Sequence, residues 1–397
     1  LRYNLIAKIK QLKEISPMAE LKAGLDGIVV AQQDISFIDG EKGDLVYRGY
    51  HINELAPHAT YEEVVYLLWY GKLPTQRELN DLHERLVNRR ALNEDHLNLI
   101  RSMPRNARPM SVCRTGVSQI GLYDPEPVVF DEEVNQLKAD DILAKMPTLM
   151  AAFARHRKGL EIIPPRDDLS HAANFLWMLN GEEPSLEAER GLDLYLVLLA
   201  EHGFNASTFS CRVTASTWAG MYAAVVSGIG TLSGASHGGA VQAAMNQFQE
   251  IGNVENVEAW FEGAVQSKKR IMGIGHRVYK TLDPRAPHLR ARVEELAAQS
   301  DLCKWYEITA KLEAIAAENP YFQERQLYPN VDYYSAPLLC MLGLESDMFT
   351  PMFAISRVAG WTVHIMSQYK DNRLIRPRAE YVGAKGLTWT PIEERGS

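Results

Sequence analysis

Along most of the chain, apolar residues recur three and four positions apart. INELAPHATYEEVVYLLWYG, TQRELNDLHERLVNRR, DILAKMPTLMAAFARHRKG, LSHAANFLWMLNG and SLEAERGLDLYLVLLAEHG all follow this spacing, which gathers apolar side chains on one face of a 3.6-residue helix. Most of these stretches stop at glycine or before proline, as helices do. Period-two alternation is confined to GIVVAQQDISFIDGEKGDLVYRG, which predicts a few short strands joined by an Asp/Gly-rich turn. The expected fold class is mainly α, with a few short N-terminal strands. The first residues, LRYNLIAKIKQLKEI, are amphipathic and charged and read as a first helix rather than a signal peptide.

From Val213 to Gln249 the chain carries no Asp, Glu, Lys or Arg. Ser, Thr and Gly interrupt this stretch too often for a membrane span of about 20 apolar residues. Small residues at helical spacing in GMYAAVVSGIGTLSGASHGGAVQAAM allow close helix approach, either in a central core helix or at a subunit interface. From Trp260 to Glu324 the chain turns richer in Lys, Glu and Arg, which suggests a smaller, more exposed lobe.

With 397 residues, 46% hydrophobic and 23% charged, the chain is long enough for a large domain with a second, smaller lobe. Its formal net charge of -8 and lack of a basic tract argue against nucleic acid as a partner. The four cysteines form no CxxC pair, so a reducing, cytoplasmic location is expected. No two histidines lie three or four apart, and GxxxxGK[ST] and GxGxxG are missing. Helical zinc, nucleotide-phosphate loop and dinucleotide readings therefore have no support, and no metal site is expected.

Polar residues in apolar or glycine-rich surroundings remain: His202 and Asn205 in AEHGFNAST, His237 in SGASHGGAVQ, His276 in GIGHRVYK and Asp332 in YPNVDYYSAP. A lone histidine is more often structural than catalytic, and Asp332 could be a simple helix N-cap. His83, His96 and His288 sit among charged helix positions and are expected to be solvated.

Four segments, SHGGA, GIGHRVYKTLDPRA, PNVDYYSA and FAISRVAGW, occur in this order, and together they resemble the citrate synthase family, short dimeric type. AEHGFNASTF upstream and NRLIRPRAEYVG downstream extend the match, which runs from about Leu21 onward. The resemblance implies an acyltransferase that condenses acetyl-CoA with oxaloacetate and hydrolyses the citryl thioester, the entry step of the tricarboxylic acid cycle. Carried over motif by motif, the catalytic residues would be His237, His276 and Asp332. Asp332 would take a proton from the acetyl methyl group, a weak acid whose enolate needs stabilisation as it forms. His237 would supply that stabilisation as a neutral imidazole, its protonation disfavoured by the helix that GGAVQAAMNQF predicts. A helix starting near Asp332 would keep that carboxylate ionised. His276 would polarise the oxaloacetate ketone.

The same resemblance implies that His202, Asn205, Arg285, Arg357 and Arg376 bind oxaloacetate, with Arg376 supplied by the other subunit of a homodimer. Guanidinium suits a dicarboxylate because its planar fork offers paired donors. Lys280 and Arg325 would meet coenzyme A phosphates, and the backbone at Met272, Gly273 and Gly275 would approach its adenine. No cofactor is implied, since acetyl-CoA is a substrate. The implied organisation is a large helical domain formed by residues 1–229 and 332–397, with a small helical domain at 230–331 inserted between them. Ala336 stands where many members have glycine, and Ser367-Gln368 where Glu-Gln is frequent; a Ser-Ala pair also occurs in 2-methylcitrate synthases, which use propionyl-CoA. That activity, and a non-catalytic CoA-binding regulatory protein of the same fold, are the alternatives.

Overall fold

The computed structural model describes residues 22–25, 27–125, 131–298 and 303–395, so the first helix expected at the N-terminus lies outside the described residues. The chain divides into an N-terminal unit up to Asp34 and a unit running from Ile35 to Ser397. Seventeen α-helices and three short strands are found among the described residues, so the fold is mainly α as the periodicity predicts.

Strands β1 (Ser36–Asp39), β2 (Asp44–Tyr47) and β3 (Tyr50–His51) form an antiparallel meander in that order. Their register pairs Ser36 with Tyr47 and Asp39 with Asp44. In the turn, Asp39 accepts from the amides of Glu41 and Lys42, and Gly43 takes a φ of 76°. Residues 27–34 form no strand despite their apolar composition, because a strand needs a neighbour to complete its ladder.

Helix ends obey local chemistry. Thr60 with Glu63 and Thr75 with Glu78 form reciprocal capping boxes, and Gly71 and Gly181 close their helices in the left-handed region. Asn93 caps helix Glu94–Ser102, and this corrects one expectation: His96 is buried there instead of solvated, with burial lowering its pKa. Charged residues around a histidine in sequence do not report which face of the helix it occupies. His83 and His288 remain partly exposed.

The charge-free stretch folds as two helices, Met221–Leu232 and Ala240–Ile251, with His237 in the turn between them. The first buries Met221, Ala224, Val225, Gly228, Ile229 and Leu232, a single stripe at helical spacing. That stripe packs on helices Ala206–Ser216 and Phe349–Lys370. A Cβ at Gly228 would meet Cys211 Sγ and the Trp361 ring, so the small residue permits this approach.

Helix Phe349–Lys370 runs through the centre, with Arg357, Trp361 and His364 all buried. Its Gly360 lies against Ala200 and Glu201, where a side chain would collide with the Glu201 carboxylate and the Ala200 carbonyl. Glu201 is fully buried, and its Oε1 accepts from Ser36 Oγ at 2.9 Å and Gly203 N at 2.6 Å, and lies 3.1 Å from His364 Nε2. Tyr47 donates to the Glu201 carbonyl at 2.8 Å. One carboxylate thus joins β1, the segment bearing His202, and the central helix. Burial works against its charge, but the His364, Arg357 and Ser36 contacts outweigh it and hold its pKa below the ordinary value. His364→Ala is expected to destabilise the protein by about 3 kcal/mol, read from urea unfolding; a change under about 0.5 kcal/mol would show that the pair is not a structural anchor.

Candidate active site

His237 is placed by the turn between the two apolar helices: its amide donates to Gly234 O, and Thr350 Oγ1 ties the next residue's carbonyl. Its Nε2 accepts from the Ser207 amide at 3.3 Å and lies 2.9 Å from Ser207 Oγ. An accepting Nε2 in a neutral ring leaves the proton on Nδ1. Burial, followed by the charge of Arg357, lowers its pKa to about 4. The neutral form expected from the sequence is therefore present, with burial as the main cause.

Ser207 is held in turn by Asn205, the N-cap of helix Ala206–Ser216. Asn205 Oδ1 accepts from Ser207 N, Thr208 N and Ser207 Oγ, while Nδ2 donates to Thr208 Oγ1 at 3.0 Å. The Asn205 amide is thereby engaged within the protein. Trp361 Nε1 donates to Ser207 Oγ at 3.2 Å, which links the central helix to the support of His237.

His276 follows a loop stitched to the segment before Asp332. Gly275 N donates to Tyr328 O at 2.7 Å, Asn330 N to Gly273 O at 2.8 Å, and Asn330 Nδ2 to Gly275 O at 2.8 Å. Gly273 and Gly275 have φ values of 81° and 86°, and a Cβ on Gly273 would lie 2.9 Å from Tyr333 Cα. This stitching alone requires both glycines. His276 Nδ1 accepts from the amides of Val278 and Tyr279, each at 3.1 Å, so Nε2 carries its proton. Burial and then Arg285 lower its pKa to about 4. His202 stands edge-on to it with ring centroids 5.8 Å apart, and burial with Arg285 and Arg357 hold its pKa well below the ordinary value.

Asp332 is the second residue of helix Val331–Met341. The N-cap is Asn330, whose side chain accepts from Asp332 N at 3.0 Å, so the N-cap alternative for Asp332 is removed. Burial raises its pKa to about 6 against the pull of Arg285 and Arg357, with Asp283 adding to the rise. Desolvation outweighs the helix terminus and lifts the pKa, yet at about 6 the group is still ionised at neutral pH.

Both guanidiniums are interior. Arg285 is 3% exposed and pairs through Nε and Nη2 with both oxygens of Asp283, each at 2.9 Å. Asp283 also accepts from Val331 N at 3.1 Å. Arg357 is 1% exposed, donates from Nε to Leu199 O at 2.7 Å and lies over the Phe353 ring. Arg357 acts electrostatically on His202, His237 and Asp332, and Arg285 on His202, His276 and Asp332. The His202–His276 ring contact and the Asp283 bridge from Arg285 to the amide of Val331, beside Asp332, make neighbours of His202, His276, Arg285 and Asp332.

Asp283, Ser207, Glu201 and Tyr279 were missed by sequence reasoning. Only Asp283 leaves a signal there, as an acidic residue two positions before Arg285; the others lack a local signature.

Other expected residues stand apart. Arg376 is exposed in the irregular segment beyond Lys370. Lys280 is exposed, with Nζ 3.3 Å from the Arg277 carbonyl, and Arg325 is exposed over the Tyr321 ring at 4.1 Å. Met272 donates its amide to Gln247 Oε1 at 2.8 Å. No group of three or more His, Cys, Asp or Glu that could hold a metal ion occurs among the described residues. Among the same residues, no helix is long and apolar enough to cross a membrane.

Comparison with known proteins gives a concordant picture. Residues 24–378 match the family described as citrate synthase, C-terminal domain. The chain is 46% identical over 381 residues to the citrate synthase of Haloferax volcanii, covering 95% of this chain and 99% of the relative. It is 39% identical to 2-methylcitrate synthase 2 of Corynebacterium glutamicum, covering 95% and 98% respectively. A solved citrate synthase of Thermoplasma acidophilum, in ternary complex with carboxymethyl coenzyme A and oxaloacetate, superposes with a TM-score of 0.89 at 33% identity, covering 95% of this chain and all of the other. The chain belongs to the citrate synthase family.

Proposed function

We propose that this chain condenses acetyl-CoA with oxaloacetate and hydrolyses the citryl thioester to citrate and CoA. The observation that carries this is a carboxylate of raised pKa set among neutral histidines of fixed tautomer, under two buried guanidiniums. Arg285 and Arg357 offer charge-assisted bonds to the oxaloacetate carboxylates. The Nε2–H of His276 points to the ketone oxygen as its donor. On the other substrate, Nδ1–H of His237 donates to the thioester oxygen while Asp332 removes a methyl proton. The enolate carbon attacks the ketone carbon, the new alkoxide takes its proton from His276 Nε2, and the proton that Asp332 removed from the methyl group restores that imidazole, so both residues return to their starting forms. Water then cleaves the C–S bond of the citryl thioester, releasing CoA as the thiol. Every step is a proton transfer or a bond between the two substrates and water, so no cofactor is called for.

Lys280 and Arg325 are exposed cations in this scheme and serve the CoA phosphates, and the Met272–Gly273–Gly275 backbone lies towards the adenine. His202 supports oxaloacetate, and Asn205 acts by holding Ser207 and the loop. Arg376 enters the site of a partner subunit, which fits its exposure here and makes the active form a homodimer. The division into 1–229 with 332–397, and 230–331, puts His237 and His276 on one side of the cleft and Asp332 on the other. Closure of the two parts would exclude water until condensation is complete.

A second reading, 2-methylcitrate synthase, is favoured by the Corynebacterium glutamicum relative. Ala336 is fully buried four residues after Asp332, on the same face of its helix, and so bears on the size of the acyl group.

Thiol release with oxaloacetate is expected to favour acetyl-CoA over propionyl-CoA by about tenfold or more in kcat/KM, the usual worth of one methylene. A propionyl-CoA preference selects the second reading, and turnover with either removes the non-catalytic alternative. The active form of Asp332 is the carboxylate, so activity is present above its pKa and lost as pH falls through about 6. His237 and His276, with pKa values of about 4, stay neutral across that range. The kcat/KM profile is expected to fall tenfold per unit below about pH 6, and Asp332→Asn to lower kcat by about 100-fold or more; near-normal turnover in that variant would refute the assignment of the base. Small-angle scattering is expected to give the mass of two chains and a smaller radius on adding oxaloacetate. A monomer would contradict the shared site, and an unchanged radius would contradict closure.

A further inference from the structure

Tyr279 has no role in the scheme above, yet it touches both imidazoles on the oxaloacetate side. It is 2% exposed. Its amide donates to Nδ1 of His276 at 3.1 Å, and its hydroxyl lies 3.1 Å from Nε2 of His202. Its ring centroid is 4.8 Å from that of His276 and 5.6 Å from that of His202, and the Arg285 guanidinium lies 5.9 Å from it. Phenylalanine would reproduce every one of these ring contacts, so packing alone does not call for the hydroxyl. A buried phenol needs a partner, and here that partner is a substrate-side histidine.

Resting on the reading that oxaloacetate binds here, we propose that Tyr279 is a positioning residue that sets the tautomers of both histidines facing that substrate, its amide capping His276 and its hydroxyl capping His202. For His276 the consequence is already visible, since two backbone amides on Nδ1 leave Nε2–H as the donor. For His202 the hydroxyl does what the amides do for its neighbour. Burial pushes the phenol well above its ordinary pKa, so Tyr279 keeps its proton, and its hydroxyl, 3.1 Å from Nε2, is assigned as the donor of that bond. The ring proton of His202 then resides on Nδ1, the nitrogen turned away from the Tyr279 hydroxyl.

Oxaloacetate offers only acceptors, so a histidine that serves it must present N–H at a fixed position. Without the hydroxyl, the neutral ring of His202 divides between two tautomers. The substrate then sees only a fraction of competent sites, and apparent affinity falls by that fraction. Acetyl-CoA is handled by His237 and Asp332, whose bonding does not involve Tyr279.

Tyr279→Phe in the full chain separates these roles. The oxaloacetate KM is expected to rise about fivefold, as expected for losing one neutral hydrogen bond, with the acetyl-CoA KM and kcat within about twofold of the parent. Long-range proton–nitrogen spectra of histidine-labelled, substrate-free protein are expected to show His202 Nε2 unprotonated in the parent and averaged between tautomers in Tyr279→Phe, with His276 unchanged in both. An unchanged oxaloacetate KM, or equal losses in all three kinetic parameters, would overturn the proposal. So would a His202 signal that is the same with and without the hydroxyl. If the parent released no thiol with any acyl-CoA, the functional reading would fail, while the spectra would still decide what Tyr279 does to His202.

Discussion

Two guanidinium groups, Arg285 and Arg357, are held in the interior where water cannot screen them, and the electrostatics of the site follow from that constraint. A buried cation is tolerated only with counter-charge or hydrogen bonds close by. Arg285 has the bidentate Asp283, and Arg357 has the Leu199 carbonyl, the Phe353 ring and the field of buried Glu201. Their positive field adds to burial in keeping His202, His237 and His276 neutral, and restrains the rise that burial imposes on Asp332. The same field favours a dianionic ligand. The neutral imidazoles owe most to burial and the two guanidiniums reinforce it, while the same field keeps Asp332 ionised at neutral pH against its desolvation.

Neutral histidines are useful donors only if the proton sits on a chosen nitrogen, and the fold makes that choice with fixed groups. For His237 the accepting nitrogen is turned to Ser207, itself held by Asn205 and Trp361. For His276 it is turned to two consecutive amides. The two rings consequently present opposite nitrogens, Nδ1 and Nε2. Backbone amides cannot exchange roles as hydroxyls can, so the His276 tautomer is set by chain path alone.

Much of this was legible in the chain. Periodicity foretold the helices because burial of one face needs only local spacing, and capping residues such as Thr60 and Thr75 marked their starts. His237, His276, Asp332, Arg285 and Arg357 were named from ordered motifs, and in the structure His276 and Arg285 lie beside the start of the Asp332 helix while Arg357 is buried on the central helix. The face occupied by His96 was misjudged because neighbouring charges do not report orientation. In KRIMGIGHRVYK, the expected reason for the glycines was an approach by coenzyme A; the structure gives a nearer one, the fit of Gly273 against Tyr333 and the hydrogen bonds to residues 328–330.

The sequence by itself determined the helical class, the hairpin turn, the helix starts and the residue types available for chemistry, because each depends on neighbours within a few positions. Tertiary structure alone decided that Asp332 has a raised pKa, that Ser207 meets His237, that Glu201 anchors His364, and that Tyr279 lies between two imidazoles. Those properties arise from desolvation and from bonds between residues up to 163 positions apart. No local pattern encodes either, since both depend on which surfaces the completed fold withdraws from water.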